Sequence, residues 1–188
     1  MELRLARSPG MDAAEREQTL HQLVDRYGNT VLHLAYLYLK DRDLAEDIFQ
    51  EVFTKVYLQL HTFRGEASPK TWICRITINL CRDRLRSWTA RRVLLLGEEL
   101  FRSLPGVEEE TEDAVLAAAD RGALLEAVMQ LRPEYREVVL LYYYEEMASA
   151  EVAAALSLSE GTVRSRLHRA RAHLRGLLTE GGFTHAEA

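Results

Sequence analysis

The sequence predicts an all-α protein of two small helical domains joined by a flexible acidic linker. Only four of its 188 residues are proline and ten are glycine, so little interrupts a helix. Apolar residues recur at the three- and four-residue spacing of an amphipathic helix on both sides of a glutamate-rich segment. We therefore predict a first domain over residues 15–92, a linker over 93–118 and a second domain over 119–179.

Three amphipathic helices are expected in the first domain. The first ends at the polar break over residues 40–43, and the second follows that break directly. The third begins at Ser68-Pro69, because serine caps free N–H groups and proline fits the first helical position. Its periodicity continues to about Trp88. Three such helices can bury a shared core.

The second domain follows a segment whose acidic residues are opposed only by Arg102, a composition typical of an extended, self-repelling linker. Arg132-Pro133 is a second helix-start pair. Further on, Ser149 is predicted to cap a short helix over residues 150–156. After a tight turn, Ser159 is predicted to cap a longer one. Helix, short turn and helix together predict a helix-turn-helix, whose second helix enters the major groove of DNA.

The overall charge of −5 and pI near 5.7 would argue against nucleic acid, but the charges are segregated along the chain. Cys74 and Cys81 lie seven residues apart on one helix, roughly 10 Å from each other, too far for a disulfide. Both are expected to be reduced. The sequence has no apolar run that could span a bilayer, so we expect a cytoplasmic protein without direct membrane insertion.

The last predicted helix separates an apolar stripe from a basic surface. Apart from Glu160 itself, all the charged or titratable side chains from Glu160 to Arg175 are arginine or histidine. Arginine can grip guanine with two hydrogen bonds or pair with phosphate, so this face favours DNA binding. The alternative is a solvated helix face, but such faces usually mix charge signs four residues apart.

A second basic stripe lies on the third helix of the first domain. Arg75, Asn79, Arg82 and Arg86 step by four, three and four residues, and Arg84 extends the stripe. Trp72 lies one turn upstream, where its ring could stack on unpaired bases or simply belong to the core. The stripe also favours nucleic acid, so two separate DNA contacts are predicted from one chain.

Four linked segments resemble the sigma-70 family of RNA polymerase sigma factors, specifically its extracytoplasmic-function (ECF) group. They are Asp43–Phe53, Thr71–Asp83 with Arg86, Leu131–Val139 and Gly161–Arg171. The resemblance covers about residues 15–178 in the family's order. Three positions depart from the family pattern: Ser149 stands for an aromatic residue, Arg132 for a proline, and Pro69 for an apolar or aromatic residue.

The resemblance implies a transcription initiation factor that carries the polymerase to promoters. Its partners would be the core enzyme, through the beta and beta-prime subunits, promoter DNA and an anti-sigma factor. The face docking on the polymerase would comprise Asp43, Asp47, Gln50 and Glu51. The minus-10 element would be opened and held by Phe63, Arg64, Trp72, Arg75, Asn79, Arg82 and Arg86. The minus-35 element would be read by Glu160, Thr162, Arg164, Ser165, Arg166, His168, Arg169 and Arg171. The linker would thread toward the active-site and RNA-exit channel.

Two other classes of function agree less well with the sequence. A stand-alone helix-turn-helix regulator would need a ligand-binding domain or a dimer interface, and the first domain offers no phosphate loop and no βα alternation. A helical-bundle enzyme would need Glu-x-x-His pairs on facing helices to hold metals, and none occurs in the sequence. We expect no catalysis, no cofactor and no metal site.

Overall fold

The computed structural model describes residues 12–95 and 122–180. In these two ranges every regular element is a helix, which confirms the all-α prediction. The first domain contains α1 (Ala13–Leu39), α2 (Arg42–Gln59), a 3₁₀ turn (Leu60–Thr62) and α3 (Pro69–Leu95). The second contains α4 (residues 122–130), α5 (Pro133–Val139) with a π-helical turn (Leu140–Tyr144), α6 (Ser149–Leu156) and α7 (Glu160–Glu180).

The polar break between the first two helices lies where it was predicted. Lys40 adopts a left-handed conformation with φ of 58° and donates its N–H to the carbonyl of Tyr36 at 2.7 Å. The Asp41 carboxylate then accepts the N–H of Leu44 at 2.9 Å, which caps α2. One residue therefore ends α1 and the next begins α2, so the two helices form a hairpin.

The start of α3 is also confirmed. Ser68 accepts the N–H of Thr71 at 3.1 Å, and Pro69 occupies the first helical position. The helix continues past the predicted end at Trp88 to Leu95, and therefore takes up the first residues assigned to the linker. The rest of the predicted acidic linker lies outside the described residues.

The second domain confirms the starts at Pro133 and Ser159 and corrects one. Ser149 is the first residue of α6 and not its cap, because Ala148 occupies the capping position. The N–H of Ala148 is satisfied instead by the carboxylate of Glu151, at 3.0 Å. The Oγ of Ser159 accepts the N–H of Thr162 at 3.1 Å, as expected for the cap of α7.

The apolar cores of the two domains meet where α3 packs against α6. Leu34, Ile48 and Ile73 lie fully buried in the first domain, and Leu141 and Val163 in the second. All five belong to one continuous apolar cluster. The two predicted domains therefore pack against each other, which the sequence did not indicate.

Both cysteines are free, as predicted, and both are buried. Burial is the main reason that the pKa of each thiol, at Cys74 and Cys81, rises to about 12. Among the helices that the structure describes, none is both long enough and apolar enough to cross a membrane.

Candidate nucleic-acid interface

The helix-turn-helix is formed by α6, a tight turn and α7. Ser157 ends α6 in a left-handed conformation with φ of 56°, and its N–H bonds the carbonyl of Ala153. On α7, Val163, Leu167 and Ala170 are buried against the rest of the domain. Because residues spaced by four and three share one helix face, this apolar stripe fixes the rotation of α7 and turns its other side outward.

The outward side of α7 carries the residues predicted to read the minus-35 element. Glu160 and Arg164 are both exposed and lie 3.5 Å apart, carboxylate to guanidinium. Of the remaining predicted residues, Thr162 and Arg166 are half-buried, and the exposed ones are Ser165, His168, Arg169 and Arg171. The structure thus brings all eight onto one helix, with its cationic side chains available to a ligand.

Tyr135 on α5 supports this basic surface from beneath, a role that the sequence analysis missed. Its hydroxyl accepts a hydrogen bond from Arg132 at 2.9 Å. The bond from Arg132, together with a second from Arg169, lowers the pKa of Tyr135. The Tyr135 ring stacks on His173 at a centroid distance of 5.5 Å. Tyr135 therefore links α5 to α7, and only its place beside the Arg132-Pro133 helix start hinted at it.

The basic stripe of α3 is divided between solvent and the second domain. Asn79 and Arg86 are exposed. Arg82 instead grips the carboxylate of Glu137 on α5 through both ends of its guanidinium, with Nε donating to Oε1 at 2.6 Å. Arg75 donates to the carbonyl oxygen of Ala154 on α6. Two of the four stripe residues therefore have partners that lie more than 50 residues away in sequence.

Glu137 is the centre of a buried polar network between the domains. Its side chain also accepts the hydroxyl of Tyr38 from α1 at 2.8 Å. The bond from Glu137 raises the pKa of Arg82. Burial, followed by the charge of Glu137, raises the pKa of Tyr38. Arg136 closes the network by donating to the carbonyl of Tyr38 at 3.0 Å. Tyr38 is therefore held as a neutral phenol that donates to Glu137.

The loop before α3 places an aromatic pair beside the basic stripe. The rings of Phe63 and Trp72 lie 4.9 Å apart, centroid to centroid, at 44°. Phe63 is buried, Trp72 is half-buried, and Arg64 is exposed. Gly65 follows with φ of +72°, a conformation that a side chain would strain. The pair thus braces the loop while part of the Trp72 ring stays open to a ligand.

The residues predicted to dock on the polymerase, three of them acidic, share the outer side of α2. Asp43, Asp47 and Gln50 are exposed, and Glu51 is half-buried. Arg84 reaches from α3 to within 3.6 Å of the Asp47 carboxylate and 3.5 Å of the Glu51 carboxylate. The prediction that Arg84 extends the basic stripe was wrong, because Arg84 lies half a turn away from Arg75 on α3 and faces these carboxylates.

No group of three histidine, cysteine or acidic side chains in residues 12–95 and 122–180 is arranged to hold a metal ion.

Two helical domains, one ending in a helix-turn-helix with a basic outer face and the other carrying a second basic helix, have the architecture of a DNA-binding protein. Residues 23–92 match the family model for sigma-70 region 2, and residues 121–174 match the one for sigma-70 region 4. The chain belongs to the sigma-70 family of RNA polymerase sigma factors, in the extracytoplasmic-function group.

Named relatives show the same correspondence over nearly the whole chain. The ECF RNA polymerase sigma factor SigL of Mycobacterium tuberculosis is 33% identical over 96% of this chain and 99% of its own length. SigW of Bacillus subtilis is 30% identical over 84% of this chain and 88% of its own. The RNA polymerase sigma factor RfaY of Xanthomonas campestris is a longer protein. It is 35% identical over 89% of this chain, and the chain spans 42% of its length.

A solved structure shares the fold. CnrH, determined in complex with the cytosolic domain of CnrY, superposes with a TM-score of 0.64 at 27% identity, covering 87% of this chain and 90% of that one. The helical architecture of both regions is therefore found in an experimentally determined relative.

Proposed function

We propose that this protein binds core RNA polymerase, recognises the minus-10 and minus-35 elements of a promoter, assists promoter melting and starts transcription. One observation carries the proposal. Regions 2 and 4 occur in family order on two helical domains, and each domain presents a basic helix. A protein with two such surfaces can contact two spaced DNA elements at once, which one helix-turn-helix cannot do.

The minus-35 element would be read by α7 in the major groove. The buried apolar stripe of α7 fixes the rotation of the helix against the rest of the domain. Arg164, Ser165 and Arg169 then extend into solvent. Arginine recognises guanine through two acceptors on the base edge, and a hydroxyl can bond several bases. Phosphate contacts from Arg166 and Arg171 would fix the register of the helix on the duplex.

The minus-10 element would be held as a single strand along α3. Bases that leave the duplex lose stacking, and an aromatic ring restores it at about 1–3 kcal/mol per base. The open edge of Trp72 offers such a ring, and the exposed Arg64 follows Phe63, which packs on Trp72, so it supplies a cation in the same loop. The exposed Asn79 and Arg86 then supply an amide for base edges and a charge for the backbone.

The outer side of α2 would dock on the beta-prime subunit. Its carboxylates are solvated and prearranged by Arg84, so a basic partner surface could pair with them without moving the helices. The second domain would dock on the beta subunit, and the acidic linker would lie along the path that nucleic acid takes through the polymerase. An acidic chain suits a channel built to hold phosphates.

An anti-sigma factor is proposed as the inhibitory partner. CnrH, which shares the fold, was determined with another protein bound to it, the cytosolic domain of CnrY. The protein would act in the cytoplasm, where bacterial polymerase works, as an initiation factor without catalysis of its own and without a cofactor.

Run-off transcription on a library of promoter fragments tests the proposal. Core polymerase is assayed alone and with this protein. Transcripts that require the protein and share two spaced upstream elements are expected. Absence of such transcripts, together with tight binding of duplex DNA by the free protein, would favour a stand-alone regulator instead.

A further inference from the structure

We propose that Arg132, at the start of α5, binds a DNA backbone phosphate beside the minus-35 element, and that the hydroxyl of Tyr135 holds it in place for that contact. The inference rests on the proposed function in one respect, that α7 enters the major groove. It goes beyond that function by extending the minus-35 interface from α7 to α5, a helix that carries none of the predicted DNA-reading residues.

The side chain of Arg132 is exposed, yet two of its three guanidinium nitrogens are held. Nη2 donates to the hydroxyl of Tyr135 at 2.9 Å, and Nε lies 3.2 Å from the Glu134 carboxylate. The guanidinium carbon also lies 5.0 Å from the centroid of the Tyr135 ring. Among the described residues Nη1 has no hydrogen-bond or ion-pair partner, and 68% of the side chain is open to solvent. The guanidinium is therefore oriented, with one nitrogen left for an external acceptor.

Tyr135 joins this cation to α7. Tyr135 is only 5% exposed, and its ring stacks on His173 at a centroid distance of 5.5 Å. Its hydroxyl also accepts a hydrogen bond from Arg169, so the guanidinium groups of two helices meet at one oxygen. The buried tyrosine thus fixes the position of Arg132 relative to the side of α7 that faces DNA.

The place of α5 beside α7 explains why its cation meets the backbone and not the bases. The major groove is about 12 Å wide and an α-helix with its side chains is about 10–12 Å across, so α7 alone fills the groove. A helix packed against the side of α7 then lies over the phosphates that line the groove. Arg169 and His173, four residues apart on one line of α7, mark the edge that faces α5. Arg132 therefore extends from this edge toward the phosphates.

The hydroxyl of Tyr135 contributes by ordering Arg132 before DNA arrives. An arginine that is mobile in solvent loses rotamer freedom when it binds, whereas one that is already held loses less. Tyr135→Phe removes the hydroxyl and keeps the stacked ring, so it should weaken duplex binding about 2- to 10-fold. This effect should vanish when Arg132 and Arg169 are both replaced by alanine, because the hydroxyl acts only through them.

Glu134 limits the strength of the site. Its carboxylate pairs with Arg132 and neutralises part of the charge that a phosphate would meet. Glu134→Gln should therefore tighten duplex binding, in the opposite direction to the other variants. It keeps a side chain of the same length, so the start of α5 is not shortened.

The first readout is the anisotropy of a fluorescein-labelled DNA duplex of mixed sequence, titrated with the full chain over a fourfold range of KCl concentration. Each phosphate contact contributes about 0.9 to the slope of log affinity against log salt concentration. Arg132→Ala should reduce the slope by this amount, so its loss of affinity should be roughly 3.5-fold larger at the low-salt end than at the high-salt end. Arg42→Ala is the matched control, because Arg42 is also exposed and paired with a carboxylate, that of Glu46 at 3.3 Å. It should leave the slope unchanged.

The second readout is run-off transcription on a promoter with its minus-35 element intact and on one with the element scrambled. Phosphates are present in every sequence, so Arg132→Ala should reduce both signals by the same factor and leave their ratio unchanged. Its circular dichroism spectrum and melting temperature should match those of the unchanged chain, which separates a lost contact from a damaged fold.

A salt slope for Arg132→Ala equal to that of the unchanged chain would overturn the phosphate contact, and a lowered template ratio would overturn it in favour of base reading. An equal effect of Tyr135→Phe with and without the two arginines would overturn the positioning role of the hydroxyl.

Failure of the proposed function is visible separately. If the slope falls as expected but no form of the protein supports run-off transcription, the phosphate contact stands and the assignment to initiation fails. If transcription succeeds and the slope is unchanged, the phosphate contact alone fails.

Discussion

Replacing Arg164 by alanine tests base reading without disturbing the fold, because this side chain contributes little to the stability of the folded protein. It is 67% exposed, and its pairing with Glu160 at 3.5 Å is an exposed contact between residues four apart. Such pairs contribute about 0.3–0.5 kcal/mol, and alanine has the higher helix propensity. We therefore expect the free energy of unfolding to change by less than about 0.5 kcal/mol.

The loss in promoter recognition should be several times larger. A bidentate contact between arginine and guanine contributes about 1–3 kcal/mol of discrimination, which corresponds to roughly 5- to 150-fold in binding. If Arg164 contacts a base of the upstream element, that factor should appear only where the element is intact. The ratio between two templates is therefore the quantity to measure.

Run-off transcription is carried out on a promoter with its minus-35 element intact and on one with the element scrambled. Arg164→Ala should reduce the ratio of the two signals, whereas Arg42→Ala should leave it unchanged. Arg42 is a matched control, since it is exposed and pairs with Glu46 four residues on, at 3.3 Å. An equal loss on both templates, or a lowered melting temperature, would refute the assignment of Arg164 to base reading.

Three further predictions test docking, packing and thiol chemistry. Asp47→Lys combined with Glu51→Lys should abolish pull-down of core polymerase while leaving the circular dichroism spectrum unchanged, because it reverses one exposed and one half-buried charge beside the cation of Arg84. Leu167→Ala should lower the free energy of unfolding by about 2–5 kcal/mol in urea titration, because it empties a buried position behind α7. Both cysteines should resist an aromatic disulfide reagent near pH 8 until the chain is unfolded, because their raised thiol pKa leaves almost no thiolate.

The first two predictions have control variants, and the third has an outcome that would contradict it. Glu17→Lys combined with Asp25→Lys makes the same charge change at exposed positions of α1 and should retain polymerase, so loss of pull-down by both double variants would implicate net charge and not the α2 face. His168→Ala truncates the exposed neighbour of Leu167 and should leave stability near its original value. Rapid reaction of either thiol in the folded protein would show that α3 opens locally.

Local chemistry was enough to predict where helices begin and which face of each is buried. Ser68-Pro69 and Ser159 were placed correctly because a cap and its N–H partner lie within three residues. The cap of α6 was misplaced by one residue, since Glu151 can bond back to Ala148 without any help from a side chain there. The π-helical turn at 140–144 also went unpredicted, because a wider turn leaves the apolar periodicity nearly intact.

Contacts between the domains could not be predicted from local pattern. Arg82 and Glu137 are 55 residues apart, and each has a plausible solvated role on its own helix. Tyr38 fits the apolar stripe of α1 as well as any aromatic residue, so its hydroxyl gave no sign of a partner on α5. The direction of Arg84 is a different case, because its spacing of nine residues from Arg75 already places it on the other side of α3.

The order in which Arg82 and Glu137 occur along the chain has a consequence for synthesis. The cation leaves the ribosome 55 residues before its acceptor. At about 5–20 residues per second, the delay amounts to roughly 3–11 s. During that interval the nascent chain carries the α3 arginines without the second domain to cover them, in a compartment crowded with RNA. The nascent protein is therefore most exposed to nucleic acid between the synthesis of α3 and that of α5, and folding of the second domain onto α3 ends that interval.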